Sequence, residues 1–306
     1  MLMARVKWLL AAVVIIFMLS TLIYGLLLAF SVRPLSGNEG NLRPTARRRP
    51  LVIAHRGGAG LWPENTMQAF TGSRDLGVDV LEMDVQTTAD NILVVMHDAT
   101  LERTTNGSGP VNRLTLAQLK KLDAAFHFSA DGGRTFPFRG RGVTVPTLQE
   151  VFKAFPDMRF NIEPKQAEPS IVKSLCRMIR ESGLQKKVMV GSFSQQVLDE
   201  FRAECPEVST SASTAEVGNF LTRMAAAPPE SAQANNQRMQ ALQVPEYMLG
   251  RRALTREFVE AAHALKLEVH VWTINDEESM RRLIDLGVDG IMTDYPDRLI
   301  ALLDKE

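Results

Sequence analysis

From Leu51 onwards, short apolar runs alternate with longer amphipathic segments. A strand covered on both faces reads as a continuous apolar run, and a helix that packs on a sheet has one apolar face. The alternation therefore predicts an α/β fold, a parallel sheet wrapped by helices. The candidate strands cover 51–55, 79–85, 92–96, 159–163, 187–191, 206–211, 241–245, 268–272 and 289–292.

Nine candidate strands are one more than a closed eight-stranded barrel holds. The run at 92–96 follows 79–85 so closely that no crossover helix fits between the two. It is therefore either a hairpin partner of 79–85 or an extension of it, to be counted with that run as one barrel strand.

The five residues at 75–79 are repeated without change at 285–289. In each copy a glycine closes a predicted helix, and the copy leads into an apolar run, which is typical of a joint between a helix and a strand. Two equivalent joints indicate that one architecture is repeated along this region.

An uncharged run rich in Leu, Val and Ile extends from Trp8 to Val32. At helical rise it is long enough to cross the roughly 30 Å hydrocarbon core of a bilayer. It also exceeds the apolar core of about 7–15 residues in a cleavable signal peptide. We therefore expect 1–32 to be an uncleaved transmembrane anchor, in preference to a signal peptide or a buried helix. We expect 33–50, which lacks an apolar period, to be a linker.

The charges beside the apolar run leave its orientation open. Arg5 and Lys7 precede the run, and five arginines follow it between 33 and 49. The positive-inside rule therefore favours a cytoplasmic C-terminal region, although large domains can translocate despite flanking charge. The linker arginines contact either anionic lipid headgroups or solvent alone.

The overall composition excludes little. The chain has 35 basic and 35 acidic residues, so no global field favours a nucleic acid partner. Cys176 and Cys205 lack the spacing of metal ligands, and they do not fix the redox compartment.

Polar residues stand at the ends of several apolar runs, or within them. Glu82 and Asp84 are two apart on one predicted strand, so their side chains point the same way. A buried sheet accepts such a pair only where a cation or hydrogen-bond donors offset the loss of water. The other members of this set are His55, Arg56, His97 and Glu163.

Six short motifs, in this order, resemble those of the glycerophosphodiester phosphodiesterase family. They are His55-Arg56-Gly57, Glu64-Asn65-Thr66, Glu82-Met83-Asp84, His97-Asp98, the segment 101–107 and Glu163-Pro164-Lys165. The resemblance extends from about Leu51 to Leu303, because 269–275 and 287–296 are similar to the closing strands of that family. It implies a (β/α)8 TIM barrel over 51–306 with a small capping insertion at about 99–145.

The resemblance also implies a metal site. Glu82, Asp84 and Glu163 supply three hard oxygen ligands, which suit one Mg²⁺ or Ca²⁺ ion, and the family places its metal on these positions. No histidine and cysteine cluster with zinc spacing occurs. The alternative for Glu163 alone is a salt bridge to Lys165.

The remaining roles follow from the chemistry of a phosphodiester. His55 and His97 suit a general acid and a general base at neutral pH, and the family uses both, but the sequence does not assign which is which. Arg56 and Lys165 add positive charge for the phosphate. Trp272 resembles a substrate-facing tryptophan, with interior packing as the alternative. We expect Glu64 to support Arg56 or its turn, with a helix-capping or purely structural role as the alternative.

Three functions are compatible with this pattern. The first is metal-dependent hydrolysis of small glycerophosphodiesters to an alcohol and glycerol 3-phosphate. The second is a lysophospholipase D that acts on membrane lysophospholipids, which the expected anchor favours. The third is a non-catalytic, membrane-tethered binding module, which the intact set of histidines and carboxylates disfavours.

Two stretches of the sequence lack the regular pattern of a helix or a strand. Phenylalanines alternate with polar residues in the insertion, at 126, 128, 136 and 138, and form either a small satellite core or a lipid contact. The stretch 225–240, which contains two prolines and many Gln and Asn residues, is predicted to be a surface loop.

Overall fold

The computed structural model describes residues 49–226, 239–248 and 251–305. The predicted anchor at 1–32 and nearly all of the linker lie outside these residues. The strands are β1 (Leu51–Ala54), β2 (Val80–Thr87), β3 (Leu93–Val95), β4 (Arg159–Pro164), β5 (Val188–Val190), β6 (Ser209–Thr210), β7 (Ala241–Pro245), β8 (Tyr247–Met248), β9 (Arg251–Arg252), β10 (Glu268–Trp272) and β11 (Gly290–Thr293). The α-helices are Met67–Leu76, Leu116–Leu119, Leu148–Ala154, Val172–Glu181, Gln195–Glu204, Thr214–Ala226, Arg256–Ala264, Glu277–Leu286 and Pro296–Leu303, and 3₁₀ turns cover His55–Gly57 and Val111–Arg113.

Eight parallel strands form the wall of a barrel in the order β6-β5-β4-β2-β1-β11-β10-β7. A parallel bridge between Ser211 and Ala241 joins the two ends of this order, so the ring closes. The predicted (β/α)8 barrel is therefore confirmed. The eighth wall position is not taken by 92–96, because β3 pairs antiparallel with the end of β2, with Val85 opposite Val95. That run is a hairpin partner.

The longer helices cover the outside of the barrel because they present apolar faces to the strands, whereas Leu116–Leu119 packs in the insertion. Every residue of β2 is buried, as expected for a strand with helices on one side and the barrel interior on the other. The helix Met67–Leu76 begins directly after Thr66, whose hydroxyl accepts a hydrogen bond from the backbone N–H of Ala69 at 3.2 Å.

The repeated five-residue sequence forms the same joint twice. Gly77 ends one helix with φ 85° and Gly287 ends another with φ 82°. Residues that have a side chain rarely adopt this left-handed backbone conformation, which is why both positions carry glycine. A Cβ atom at either position would meet nothing within 4 Å, so backbone conformation alone requires the residue.

The aspartate that closes each copy bonds to the start of a neighbouring strand. Asp79 accepts a hydrogen bond from the backbone N–H of Val52 at 2.8 Å, and from the side chain of Arg49 at 3.0 Å. Asp289 accepts one from the backbone N–H of Val269, also at 2.8 Å. The repeat therefore fixes two strands of the wall by one mechanism.

Most strand boundaries lie within two residues of the prediction, and a larger difference occurs at one strand and one loop. The strand expected at 206–211 is only Ser209–Thr210, because the chain turns at Pro206 and the N–H of Val208 bonds to the carbonyl of Cys205 at 3.1 Å. The loop expected at 225–240 is also too long: Ala226 still ends a helix and Met239 is buried beside β7. Residues 227–238 lie outside the described part of the chain.

The insertion at 99–145 has a small core of its own. Val94 and Met96 pack there with Leu101, Val111 and Leu119. The four phenylalanines are not part of that buried cluster. Two of them, Phe126 and Phe136, flank the guanidinium of Arg139, at 4.3 and 3.7 Å from the ring centres, while Phe128 and Phe138 pack edge to face at 5.6 Å.

A disulfide joins Cys176 and Cys205, whose Cα atoms are 5.8 Å apart and which are 29 positions apart in the chain. Both lie at the contact of helices Val172–Glu181 and Gln195–Glu204. Their spacing gave no sign of the bond, because it depends on how these two helices pack. No helix among the described residues is long and apolar enough to span a bilayer, and the predicted span at 8–32 lies outside them.

Candidate active site

His55 stands at the carboxyl end of β1 and bonds to an aspartate from the end of β11. Its Nδ1 is 2.6 Å from Oδ1 of Asp294. The side-chain amide of Asn275 donates to the other oxygen of Asp294 at 2.7 Å, and the side-chain oxygen of Asn275 accepts from the Asp294 backbone N–H at 2.9 Å. This network fixes the ring and leaves Nε2 of His55 available for chemistry.

The interaction with Asp294 alters the protonation of both groups. Burial lowers the pKa of His55, but the hydrogen bond to Asp294 and the charges of Glu82 and Asp294 outweigh it, so the pKa lies above its ordinary value. Burial raises the pKa of Asp294, but His55, Asn275 and Arg56 together lower it by more. Asp294 is therefore ionised at neutral pH and can only accept, so Nδ1 of His55 carries the proton.

His97 follows β3 and has the same arrangement with its own neighbour. Its Nδ1 is 2.6 Å from Oδ1 of Asp98. The Arg103 side chain donates to Asp98 at 2.6 Å, and Arg103, together with His97, lowers the pKa of that carboxyl to about 2. Gln86 donates to the backbone carbonyls of His97, at 3.0 Å, and of Asp98. Two histidines are thus each oriented by an ionised aspartate.

Glu64 joins the surroundings of the two histidines. It accepts hydrogen bonds from Arg56 at 3.0 Å and from Arg103 at 2.6 Å. Burial raises the pKa of Glu64, but the two guanidinium groups lower it by more, so the carboxylate is charged. The predicted support of Arg56 is what the structure shows, whereas the cap of the following helix is Thr66.

The turn after β1 is held in a conformation that aims a backbone N–H at a carboxylate. Arg56 has φ 49° and Gly57 has φ 77°, both in the left-handed region. The N–H of Arg56 donates to Oε2 of Glu82 at 2.6 Å. A Cβ atom at Gly57 would approach the ring of Phe70 to 2.8 Å, so the turn also needs glycine for space.

Glu82 and Asp84 are both inside the barrel, with 3% and 1% of their surfaces exposed. Burial, together with the charge of Asp84, raises the pKa of Glu82 to about 8. Asp84 has more partners: Asn65 donates to it at 2.9 Å, and Arg56 lies 3.4 Å away. The pair projects to one side of β2, as predicted.

Lys165 lies between the other two predicted carboxylate positions. Its ammonium is 3.2 Å from Asp84 Oδ1 and 3.0 Å from Glu163 Oε2. The salt bridge considered as an alternative for Glu163 is therefore present. Burial lowers the pKa of Lys165, but the two carboxylates raise it above its ordinary value. Burial also raises the pKa of Glu163, more than Lys165 lowers it.

The three carboxylates supply the oxygen donors that a hard cation prefers, but these oxygens are loosely spaced. Among residues 49–226, 239–248 and 251–305, one group of three acidic, histidine or cysteine side chains has its donor atoms all within 4.8 Å of one another, and that group contains the disulfide and Glu207. Glu82, Asp84 and Glu163 are therefore further apart. Carboxylate oxygens are nevertheless the donors that Mg²⁺ and Ca²⁺ prefer, and Glu82 and Asp84 are buried.

A cavity of about 210 Å³ opens at the carboxyl ends of the strands. Its floor includes Asn161 and Gln243, joined by a hydrogen bond of 2.9 Å. Two of the predicted residues, Asp84 and Glu64, do not line the cavity and instead contact residues that do. The predicted residues that line it are His55, Arg56, Glu82, His97, Glu163, Lys165 and Trp272.

Trp272 meets both expectations that the sequence left open. It lines the cavity, and it also packs against the buried cluster that includes Met292. Phe193, from the turn after β5, contacts its ring edge to face with the ring centres 5.6 Å apart.

Several residues of the site were not predicted. Asp98 and Asp294 lay inside motifs that the sequence analysis quoted, yet no role was given to them. The carboxylate that follows His97 directly was a signal that could have been used. Asn65, Arg103 and Asn275 also lay inside quoted segments without a role. Gln86 and Phe193 lay outside those segments, and only the folded chain brings them to the site.

The family model described as "Glycerophosphoryl diester phosphodiesterase family" matches residues 55–298. This chain belongs to the glycerophosphoryl diester phosphodiesterase family. The glycerophosphodiester phosphodiesterase of Caldanaerobacter subterraneus subsp. tengcongensis is 36% identical over 262 residues, a match that covers 84% of this chain and 99% of that protein.

Two other family relatives bear on the substrate. The phosphodiesterase of Oleispira antarctica, solved in complex with the product sn-glycerol-3-phosphate, is 26% identical with a TM-score of 0.64, covering 83% of this chain and 97% of that one. A lysophospholipase D of Mus musculus is 30% identical over 279 residues, covering 83% of this chain and 86% of that protein.

Proposed function

We propose that this chain hydrolyses glycerophosphodiesters to an alcohol and glycerol 3-phosphate. It is a phosphoric diester hydrolase of the family to which it belongs. The observation that carries the proposal is the pair of histidines, each bonded through Nδ1 to an ionised aspartate, at one cavity that two carboxylates, Arg56 and Lys165 also line. The product named for the Oleispira relative supports the same reaction.

The two histidines exchange protons with the reacting oxygens. One Nε2 removes a proton from the nucleophile, and the other donates a proton to the departing alcohol. Asp294 and Asp98 hold the rings in the tautomer that leaves Nε2 directed away from them. Arg56 and Lys165 compensate the charge of the phosphoryl oxygens.

Glu82, Asp84 and Glu163 would hold one Mg²⁺ or Ca²⁺ ion. Such an ion supplies positive charge at the phosphoryl group when bound. The buried Glu82 supports this assignment, because among the described residues it accepts one hydrogen bond, from the N–H of Arg56. Lys165 would share Asp84 and Glu163 with the ion, which keeps the ammonium beside the phosphate.

The nucleophile is a hydroxyl of the substrate itself. Among the residues that line the described cavity, no serine or cysteine is hydrogen-bonded to His55 or His97. A glycerol hydroxyl next to the phosphodiester is already tethered, which gives it a high effective concentration. Its attack forms a P–O bond, expels the alcohol and leaves a cyclic phosphate that water opens. A substrate with that hydroxyl methylated should bind without being cleaved, and cleavage near the parent rate would indicate direct attack by water.

Turnover of glycerophosphocholine beside lysophosphatidylcholine, each with and without a chelator, tests the proposal. We expect glycerophosphocholine to be cleaved and the chelator to abolish cleavage. Turnover that persists in excess chelator would exclude the metal. Binding of either compound without cleavage, with Mg²⁺ or Ca²⁺ supplied, would instead leave the non-catalytic binding module.

A lysophospholipase D that acts on membrane lysophospholipids is the second candidate. It uses the same site, and the observations that favour it are the aromatic pair at the cavity and the likeness to the mouse lysophospholipase D. The expected N-terminal anchor would hold such an enzyme at its substrate, in a membrane location.

The disulfide bears on the side of the membrane. Disulfides persist in oxidising compartments and are rare in the cytosol, so the bond between Cys176 and Cys205 favours an extracytoplasmic barrel. This opposes the orientation that the flanking charges favour. Alkylation of the denatured protein without prior reduction, followed by mass spectrometry, should find both cysteines unalkylated and joined to each other. Two free thiols in protein taken rapidly from cells would favour the cytoplasmic side.

A further inference from the structure

Phe193 is the most exposed large apolar side chain among the described residues, with 56% of its surface in contact with solvent. Isolated exposed apolar residues are common on protein surfaces, so exposure alone assigns no role. The position of Phe193 is what distinguishes it, because this side chain lines the cavity that holds both histidines.

The backbone on both sides of Phe193 is held by hydrogen bonds. The N–H of Thr214 donates to the Phe193 carbonyl at 3.4 Å. The hydroxyl of Ser192 accepts from the N–H of Ser194 at 3.2 Å, and Ser194 in turn caps the helix Gln195–Glu204. The side chain is therefore presented by a fixed turn, and no buried apolar cluster includes it.

Phe193 and Trp272 meet across one half of the barrel mouth. Their ring centres are 5.6 Å apart with an angle of 86° between the planes. Phe193 follows β5 and Trp272 ends β10, and the wall order places β6 and β7 between those strands. In a ring of eight, β6 and β7 stand opposite β1 and β2, the strands that lead to His55 and carry Glu82.

The cavity is therefore divided by chemistry. Among the described residues, its charged and histidine side chains lie on β2 and β4 or within two residues of the ends of β1, β3 and β4. The lining beside the aromatic pair is neutral and includes Ser192, Thr273 and Met292. A phosphodiester fits the charged half, and an apolar group fits the other.

We propose that Phe193 and Trp272 form a subsite for the acyl chain of a lysophospholipid. The inference rests on the proposed function and names the substrate class of the same site. An acyl chain would cover the exposed face of Phe193 and remove that apolar surface from water. The aromatic faces could instead bind a quaternary ammonium group, and the test below separates this outcome from the proposal.

The test measures a ratio within one protein preparation. We define it as kcat/KM for lysophosphatidylcholine, below its micelle concentration, divided by kcat/KM for glycerophosphocholine, using the full chain with Mg²⁺ or Ca²⁺ supplied. Both substrates share the phosphocholine group, and one has the acyl chain. Phe193→Ala should lower the ratio about tenfold, through KM, because the chain loses an apolar contact. Phe193→Leu, which keeps an apolar side chain, should restore most of it.

Leu76→Ala is the matched control. Leu76 is also exposed, at 39%, but it ends the helix that leads into the start of β2, at the opposite end of the barrel. Its substitution should leave the ratio unchanged. An unchanged ratio in Phe193→Ala would overturn the proposal. If the ratio were unchanged because kcat/KM fell equally for both substrates, the pair would be assigned to choline. Absence of glycerophosphocholine turnover by the unsubstituted protein would remove the proposed function itself.

Discussion

The two histidines differ in sequence context but have the same local chemistry. Each ring donates a hydrogen bond from Nδ1–H to an aspartate oxygen 2.6 Å away. Each aspartate has a further partner that holds it, Asn275 in one case and Arg103 in the other. Because tautomer and ring orientation are fixed before substrate arrives, each Nε2 needs no rearrangement to transfer a proton.

At this scale the first prediction concerns Asp294. Asp294→Asn removes the charge and the hydrogen bond that raise the pKa of His55, so that pKa should fall. The limb of the pH profile of kcat/KM that reports His55 should move to lower pH, and the maximum should drop by about 100-fold. A pH series of kcat/KM measures both effects.

Asp297→Asn is the control, because this exposed aspartate begins the helix Pro296–Leu303, three positions away. It should leave the limb in place. A loss of rate in Asp294→Asn without movement of either limb would mean that Asp294 has a merely structural role.

The second prediction concerns Glu82, for which we propose a metal-binding role. Glu82→Gln keeps the shape of the side chain and removes its charge, so the protein should bind Mg²⁺ or Ca²⁺ more weakly and lose about 100-fold in kcat/KM at saturating metal. Metal titrations by calorimetry and rate measurements check both. Glu181→Gln, at an exposed helix end, should change neither. Unchanged metal affinity in Glu82→Gln would remove this carboxylate from the ligand set.

At the scale of elements, alanine should have opposite effects on stability at a glycine of the repeated helix-to-strand joint and at a glycine inside a helix. Gly287→Ala forces a side chain into φ 82° and should destabilise the protein by about 1 kcal/mol. Gly218 lies inside the helix Thr214–Ala226 with nothing within 4 Å of a Cβ atom, so Gly218→Ala should stabilise by about 0.5–1 kcal/mol. Denaturant unfolding measures both free energies. Equal signs for the two substitutions would contradict this description of the joint.

The elements show how far sequence patterns extend. Apolar runs predicted the barrel strands because strands covered on both faces must be apolar along their length. The residues at the strand ends followed, since parallel strands present their carboxyl ends at one face. The partner of His55 did not follow, because Asp294 is 239 positions away and reaches it only when β11 pairs with β1. Helix packing brings the two cysteines together in the same way.

For the whole molecule, the predicted anchor and the barrel should be separable. The described residues between 49 and 305 belong to one compact unit, and Arg49 bonds to Asp79 within it. A chain that begins at Arg49 should therefore stay in solution without detergent and cleave glycerophosphocholine within about threefold of the full chain, since every proposed site residue lies after Pro50. Kinetic assays of both proteins check this. A shortened protein that folds, by circular dichroism, yet is inactive until 8–30 is restored would make the anchor part of the active site.

We infer that the histidines at this cavity cleave the ester bond between the phosphate and the departing alcohol, which is choline in glycerophosphocholine, and not the bond to glycerol. Phosphorus NMR of glycerophosphocholine incubated with the full chain and Mg²⁺ or Ca²⁺ tests it most directly, because the two possible phosphate products have distinct signals. We predict that glycerol 3-phosphate accumulates, directly or through a cyclic phosphate, and that His97→Asn stops its formation. Phosphocholine as the product, or an unchanged rate in His97→Asn, would contradict the claim.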